Sequence, residues 1–223
     1  MPSITRKSQT RRAARRDEIV ADVLTAVEQL LEEGESYTEL SVERIVSRAE
    51  ISRSTFYVYF EDKGDLILAL TEDIVGQLIE AAARWWELPP EAGRDDLEQA
   101  LRGVIDVYRP QQPLWGAVVD ASSYDRRVRE RFGEVVATAA AAVAKHIKDG
   151  QNAGYVRPDL DAKRTAQWLT WMTERGLNQL VRGANDAEVG RLTTALTAIV
   201  WNTLYDGMKD RDGTPLNGAK RRA

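Results

Sequence analysis

The chain of 223 residues contains no cysteine and a single histidine, His146. Without thiols it has no disulfide, no thiolate zinc site and no cysteine nucleophile. His146 falls on a helical pattern beside Lys145 and Lys148 and reads as a solvated position. With no second histidine, neither an imidazole metal site nor a nucleophilic triad has its usual parts. No glycine-rich phosphate loop is present. The neighbouring acids Asp95 and Asp96 stand where a helix begins, and capping accounts for them. No run approaches the roughly 20 apolar residues of a bilayer span, and no apolar run opens the sequence as a signal peptide would. The expectation is a cytoplasmic protein, not an enzyme, with no metal, no cofactor and no membrane contact.

What the sequence does hold is helical periodicity. No alternating strand pattern occurs, so the fold class is all-α, with about nine helices between clusters of glycine and proline. The patterns cover 17–33, 41–49, 52–59, 62 to just before Pro89-Pro90, 95–108, 114–122, 124–149, 161–182 and 187–208. In the first, Ile19, Val23, Ala26, Val27, Leu30 and Leu31 recur at helical spacing, and Gly34 stops it. The net charge is −4, yet Arg6, Lys7, Arg11, Arg12, Arg15 and Arg16 give residues 1–16 a local +6 with no acid, leaving −10 for the rest. A basic end on an acidic body suits a protein that touches DNA with one part only; a solubilising tail is the plainer alternative. The expected organisation is a disordered basic arm at 1–16, a small head at 17–60, a larger body at 61–209 and a disordered polar tail at 210–223.

The head carries the informative motif, SVERIVSRAEISRSTFYVYFEDK at 41–63. Two short helical patterns are joined by a turn that folds one across the other. Ser41 is placed to cap the first, with Glu43 favourable near its positive end. Ser52 is placed to cap the second, and Ile51 and Phe56 have the spacing of a hydrophobic staple. Phe56 and Phe60 face inward. Arg53, Ser54, Thr55 and Tyr57 are then left to read base edges in a DNA major groove: Arg53 is suited to guanine O6/N7, and the Thr55 methyl to a thymine methyl. Ser41, Ser52, Tyr59 and Lys63 are placed to hold the phosphate backbone. A tight helical hairpin inside a larger bundle would be the structural alternative.

With these residues in view, the chain resembles the TetR family of bacterial repressors. The match lies in 41–63 and continues as FEDKGDLILAL. The resemblance implies a homodimer of all-α subunits in which the first three helices bind double-stranded DNA at a palindromic operator and the rest bind a small ligand. Two positions depart from the family pattern. Glu50 stands in the turn where glycine is usual, and Gly64 stands where a better helix former is usual.

All six tryptophans lie in the body. They serve either as packing or as the lining of a cavity for a flat, apolar ligand. On the 161–182 helix, Trp168, Trp171, Met172 and Arg175 fall on one side, and Leu169, Thr170, Thr173, Leu177, Leu180 and Val181 on another. A helix apolar on both sides must be covered on both, so Trp168, Trp171, Met172 and Arg175 are expected at a dimer interface completed by the last helix. VIDVY, LTWMTERGL and AIVWNTLYDG are similar to the EthR-type branch of these regulators. That resemblance implies an apolar tunnel lined by Leu101, Tyr108, Thr170, Thr173 and Trp201, and Trp115 is a further candidate. Asparagines stand at the two threonine positions in that branch, so the hydrogen bonding offered to a ligand differs. The expected function is a homodimeric transcriptional repressor released by a small apolar molecule. A DNA-binding protein without a ligand switch and a helical interaction scaffold are the rivals.

Overall fold

A computed structural model describes residues 4–205, with side chains described from Arg15 onward, Asp73 excepted. Among the described residues there are nine α-helices, a 3-10 turn at Arg109–Gln111 and no strand. The helices are α1 (Ile4–Glu32), α2 (Val42–Arg48), α3 (Arg53–Tyr59), α4 (Lys63–Trp86), α5 (Arg94–Tyr108), α6 (Gln112–Tyr124), α7 (Arg126–Ala153), α8 (Ala162–Leu180) and α9 (Asp186–Leu204). No described helix is long and apolar enough to cross a membrane.

Most ends follow from local chemistry. α1 closes on Gly34 at φ 90°, where the Gly34 and Glu35 amides donate to the carbonyls of Leu31 and Leu30, each at 3.0 Å. This double return satisfies carbonyls that the helix end would strand, and only glycine takes that backbone conformation without strain. Asp96 accepts from the Gly93 amide at 2.7 Å and closes the start of α5, the capping role expected of that acid pair. Asp161 and Asn185 cap α8 and α9 by accepting from the amides of Arg164 and Glu188.

α1 begins at Ile4, well before the expected start near residue 17. The backbone of 4–16 is part of this helix. Arginine, lysine, glutamine and alanine are strong helix formers, and no glycine or proline interrupts them. The tail expected from 210 onward lies outside the described residues.

The chain divides into two compact units, one of residues 1–73 with 113–132, the other of 74–112 with 133–223. The first thus holds more than the 17–60 head read from the sequence. Val23, Val27 and Leu30 of α1, Ile45 of α2, Phe56 of α3, and Leu66 and Ile67 of α4 are its fully buried side chains, joined by Val128. In the second unit one core joins Trp85, Leu97, Leu101, Val143, Ile147, Leu169, Val200, Trp201 and Leu204.

His146 belongs to this second core and is buried, which corrects its reading as a solvated position. Its Nδ1 lies 3.0 Å from the Trp86 carbonyl and its Nε2 lies 2.7 Å from the Tyr205 hydroxyl. A carbonyl only accepts, so Nδ1 carries the proton, and Nε2 accepts from the hydroxyl. Trp85 Nε1 also donates to Tyr205, at 3.4 Å. Burial pushes the imidazole below its ordinary pKa of 6.5. A base held neutral in the fold contributes stability that is present above its unfolded pKa and is lost as pH falls toward the lowered folded value. The melting temperature of the wild type should therefore lie above that of His146→Gln at about pH 7.5, and the gap should narrow by about pH 5.5. A gap that holds constant across that range would refute the account.

Candidate functional site

α2 and α3 are each seven residues long, too short to persist without caps and a shared core. Ser41 Oγ accepts from the Arg44 amide at 3.1 Å, and Ser52 Oγ accepts from the Thr55 amide at 3.0 Å. Both caps stand where the sequence placed them. Between the helices, Glu50 adopts φ 53° and the Ile51 amide returns to the Val46 carbonyl at 3.1 Å. The left-handed turn expected at the glutamate is present, and it swings α3 across α2.

Phe56 has no solvent exposure, and its ring centroid lies 5.3 Å from those of both Tyr57 and Phe60. With Phe56 inside, the opposite face of α3 is open. Arg53, Ser54, Tyr57 and Val58 are exposed, and Thr55 and Tyr59 are half-buried. The Ser52 hydroxyl lies 2.8 Å from both the Ser54 and the Thr55 hydroxyls. The structure therefore brings Ser52, Arg53, Ser54, Thr55 and Tyr57 together on one accessible surface, with Ser41 exposed at the start of α2.

Lys63 is placed differently. Its Nζ donates to the carbonyls of Tyr37 at 2.6 Å and Thr38 at 3.2 Å and lies 4.9 Å from the Tyr37 ring centroid. In return the Tyr37 hydroxyl donates to the Lys63 carbonyl at 2.5 Å. Burial lowers the ammonium's pKa. Two of its three N–H groups are committed to the loop after α1, which leaves one for the phosphate contact expected of it.

Gly64 also has a reason that sequence reasoning missed. Asp125 and Arg127, at the α6–α7 junction, lie over the start of α4, and Arg127 Nη2 donates to both carboxylate oxygens of Asp62 at 2.7 Å. A Cβ on Gly64 would fall 2.1 Å from Asp125 Oδ2 and 2.7 Å from Arg127 Nη2. The glycine leaves room for this charge cluster. Its signal was the departure from a good helix former at that position.

The body candidates separate. Leu101 and Trp201 share the core of the second unit. Tyr108 is buried, and burial followed by the charge of Glu174 raises its hydroxyl's pKa. Thr170, half-buried, has a hydroxyl with no hydrogen-bond partner among the described residues. Trp115 belongs to the first unit, 5.9 Å from Phe132 between ring centroids. Thr173 does not join them. It lines an apolar groove between α8 and α9 with Ile105, Met172, Leu177, Leu180, Leu196 and Ile199. Elsewhere on α8, Trp168 (79%) and Trp171 (42%) are exposed, as is Arg175, and the groove's Leu180 (60%) and Ile199 (46%) are exposed too. Leu180 and Ile199 are thus on the open side of the pair.

A short capped helix laid across another by a tight turn, its polar face outward, is the helix-turn-helix of a DNA-binding regulator. Residues 24–70 match the family described as "Bacterial regulatory proteins, tetR family", and residues 97–206 match "Transcriptional regulator EthR, C-terminal domain". The chain belongs to the TetR family of DNA-binding transcriptional regulators, in its EthR-like branch. It is 27% identical over 213 residues to the HTH-type transcriptional regulator EthR of Mycolicibacterium smegmatis, covering 91% of this chain and 94% of that protein. Among solved structures, the fatty acid degradation regulator FadR of Bacillus halodurans superposes with a TM-score of 0.66 at 16% identity, covering 92% of this chain and 97% of that one. FadR of Bacillus subtilis, in complex with stearoyl-CoA, gives 0.65 at 16% identity, covering 81% and 96%. These two likenesses are likenesses of fold.

The turn yields a prediction. A side chain in the left-handed region costs about 1–2 kcal/mol, and glycine's extra freedom in the unfolded chain returns about 0.5–1 kcal/mol of that. Glu50→Gly should therefore stabilise the protein by about 0.5–1 kcal/mol, read as a small rise in the denaturant midpoint. A fall would show that the glutamate makes a compensating interaction.

Proposed function

We propose that the chain is a homodimeric repressor that reads a palindromic operator with α3 and is released by a small apolar ligand held in the body. The observation that carries the DNA half is the open face of α3 behind a fully buried Phe56. Arg53, Ser54, Thr55 and Tyr57 read base edges, Arg53 by the two-acceptor edge of guanine. Ser41, Ser52, Tyr59 and the remaining N–H of Lys63 hold phosphates. The cations at the start of α1 add attraction that falls with salt.

Dimerisation is supported by the α8–α9 face. A four-fifths exposed indole on α8, with an exposed leucine and an exposed isoleucine along the α8–α9 groove, is an unfavourable surface for a lone subunit. Two such faces form a four-helix interface with Trp168, Trp171, Met172 and Arg175 within it. A two-fold axis there presents two copies of α3, which must reach major-groove faces about 34–36 Å apart.

The ligand half rests on the family and on the body's residues. Leu101, Tyr108, Thr170 and Trp201 of the second unit offer apolar surface and, at Thr170, a hydroxyl. A ligand that binds the DNA-incompetent spacing of the heads better than the competent one shifts the population away from DNA. That a FadR neighbour is described in complex with stearoyl-CoA makes acyl-CoA compounds reasonable first probes. A regulator with no ligand switch is the second reading, favoured by the way Leu101 and Trp201 are packed into one core.

Selection from a pool of random duplexes, followed by mobility-shift titration, tests the assignment. Inverted half-sites should emerge, and Arg53→Ala should relax preference at one base pair in each. Trp168→Arg should shift the protein from dimer to monomer in sedimentation and weaken operator binding at least tenfold, on the order of one lost hot-spot contact. A wild type that sediments as a monomer, or that shows no preference against competitor DNA, would overturn the proposal. Release from the operator by stearoyl-CoA, shorter acyl-CoA compounds or the corresponding free fatty acids would support the ligand switch; indifference to all of them would favour the second reading.

A further inference from the structure

Glu43 lies in the first turn of α2, and Arg53 opens α3. The turn at Glu50 brings these two charges together on the open surface. Arg53 Nη1 donates to Glu43 Oε1, and Arg53 Nη2 lies 3.5 Å from the Tyr57 hydroxyl oxygen. The guanidinium carbon stands 5.6 Å from the centroid of the Tyr57 ring. All three side chains are exposed. The glutamate's own backbone amide, and then Arg53, hold its carboxyl below the usual carboxylate range, so it is ionised at neutral pH.

A carboxylate on a DNA-facing surface repels phosphates and weakens binding to every sequence. An exposed ion pair also contributes little to folding. The place of Glu43 in the first turn of α2 favours a carboxylate there, but stability does not explain why that carboxylate is set against Arg53. An arginine alone on such a surface swings freely and engages any phosphate within reach. Tied at Nη1, set against an aromatic ring and reaching the Tyr57 hydroxyl, the guanidinium keeps one orientation. Its positive charge is largely cancelled, while its Nε–H and the Nη2 hydrogen turned away from Tyr57 stay available. Only a partner that offers two acceptors in the plane of that fork returns what is lost in approaching the carboxylate. Among base edges in the major groove, guanine O6 and N7 meet that requirement.

We infer that Glu43 is a specificity-determining residue that acts through Arg53: it fixes the guanidinium for a guanine edge and suppresses its attraction for phosphate. The inference rests on the reading of α3 as the base-reading helix. Glu43 then sets the ratio of specific to non-specific binding and lowers absolute affinity.

The test uses the full chain as wild type, Glu43→Gln, Arg53→Ala and the double variant, each put through the random-duplex selection. Each is then titrated over a range of salt on the wild-type-selected duplex and on a scrambled one. Glu43→Gln should bind the scrambled duplex more tightly, steepen its salt dependence by about one phosphate contact, and lose about tenfold of the discrimination at the base pair that Arg53→Ala relaxes. On the Arg53→Ala background, Glu43→Gln should change no base preference. An unchanged selection and salt slope for Glu43→Gln would overturn the inference. So would a base preference that Glu43→Gln alters when Arg53 is already gone, because Glu43 would then be reading a base itself. If Arg53→Ala alters no position, the base-reading assignment of α3 fails first, a result distinct from either of these.

Discussion

The burial of Phe56 determines what the surface of the first unit can do. A seven-residue helix has one inward direction, and with Phe56 at no exposure that direction is taken. Helical rotation then sends Arg53, Ser54, Tyr57 and Val58 outward, whatever their own preferences. The caps at Ser41 and Ser52 fix where each helix starts, and the left-handed backbone at Glu50 fixes the angle between them. None of these is a large energy. Together they leave α3 a single way to lie.

Behind this surface, α4 begins under two restraints of different chemistry. The exchange between Tyr37 and Lys63 runs through main-chain carbonyls on both sides and is half sheltered from water. The Asp62–Asp125–Arg127 cluster is more exposed and works by charge. Exposed pairs of this kind are worth little singly, but here one guanidinium is shared by two carboxylates, and Gly64 makes the space that lets them meet. The junction of α6 with α7 is by this means attached to the start of α4 within one unit.

Much of this was legible in the sequence, because its signals are local. Gly34, Ser41, Ser52 and the inward pair Phe56 and Phe60 announce themselves by residue type and spacing. Even the strained turn was visible, as a glutamate where glycine is usual. What escaped notice is instructive. His146 was read by its lysine neighbours, although Val143 and Ile147, three residues before and one after, place it on the buried stripe of α7. The partners of Lys63 are backbone carbonyls 25 and 26 residues away, and carbonyls carry no sequence signature. The groove that Thr173 lines between α8 and α9 depends on how those two helices face each other, which no local pattern encodes.

α3 exposes few side chains, and a single base contact discriminates by only about 1–3 kcal/mol. One copy of so small a reading surface is a poor judge of sequence. Under the proposed two-fold assembly, occupancy of an operator rises with the square of subunit concentration until assembly saturates. The brevity of the helix thereby converts modest changes in the amount of protein into a threshold, and the bare indole at Trp168 sets the concentration at which that threshold falls.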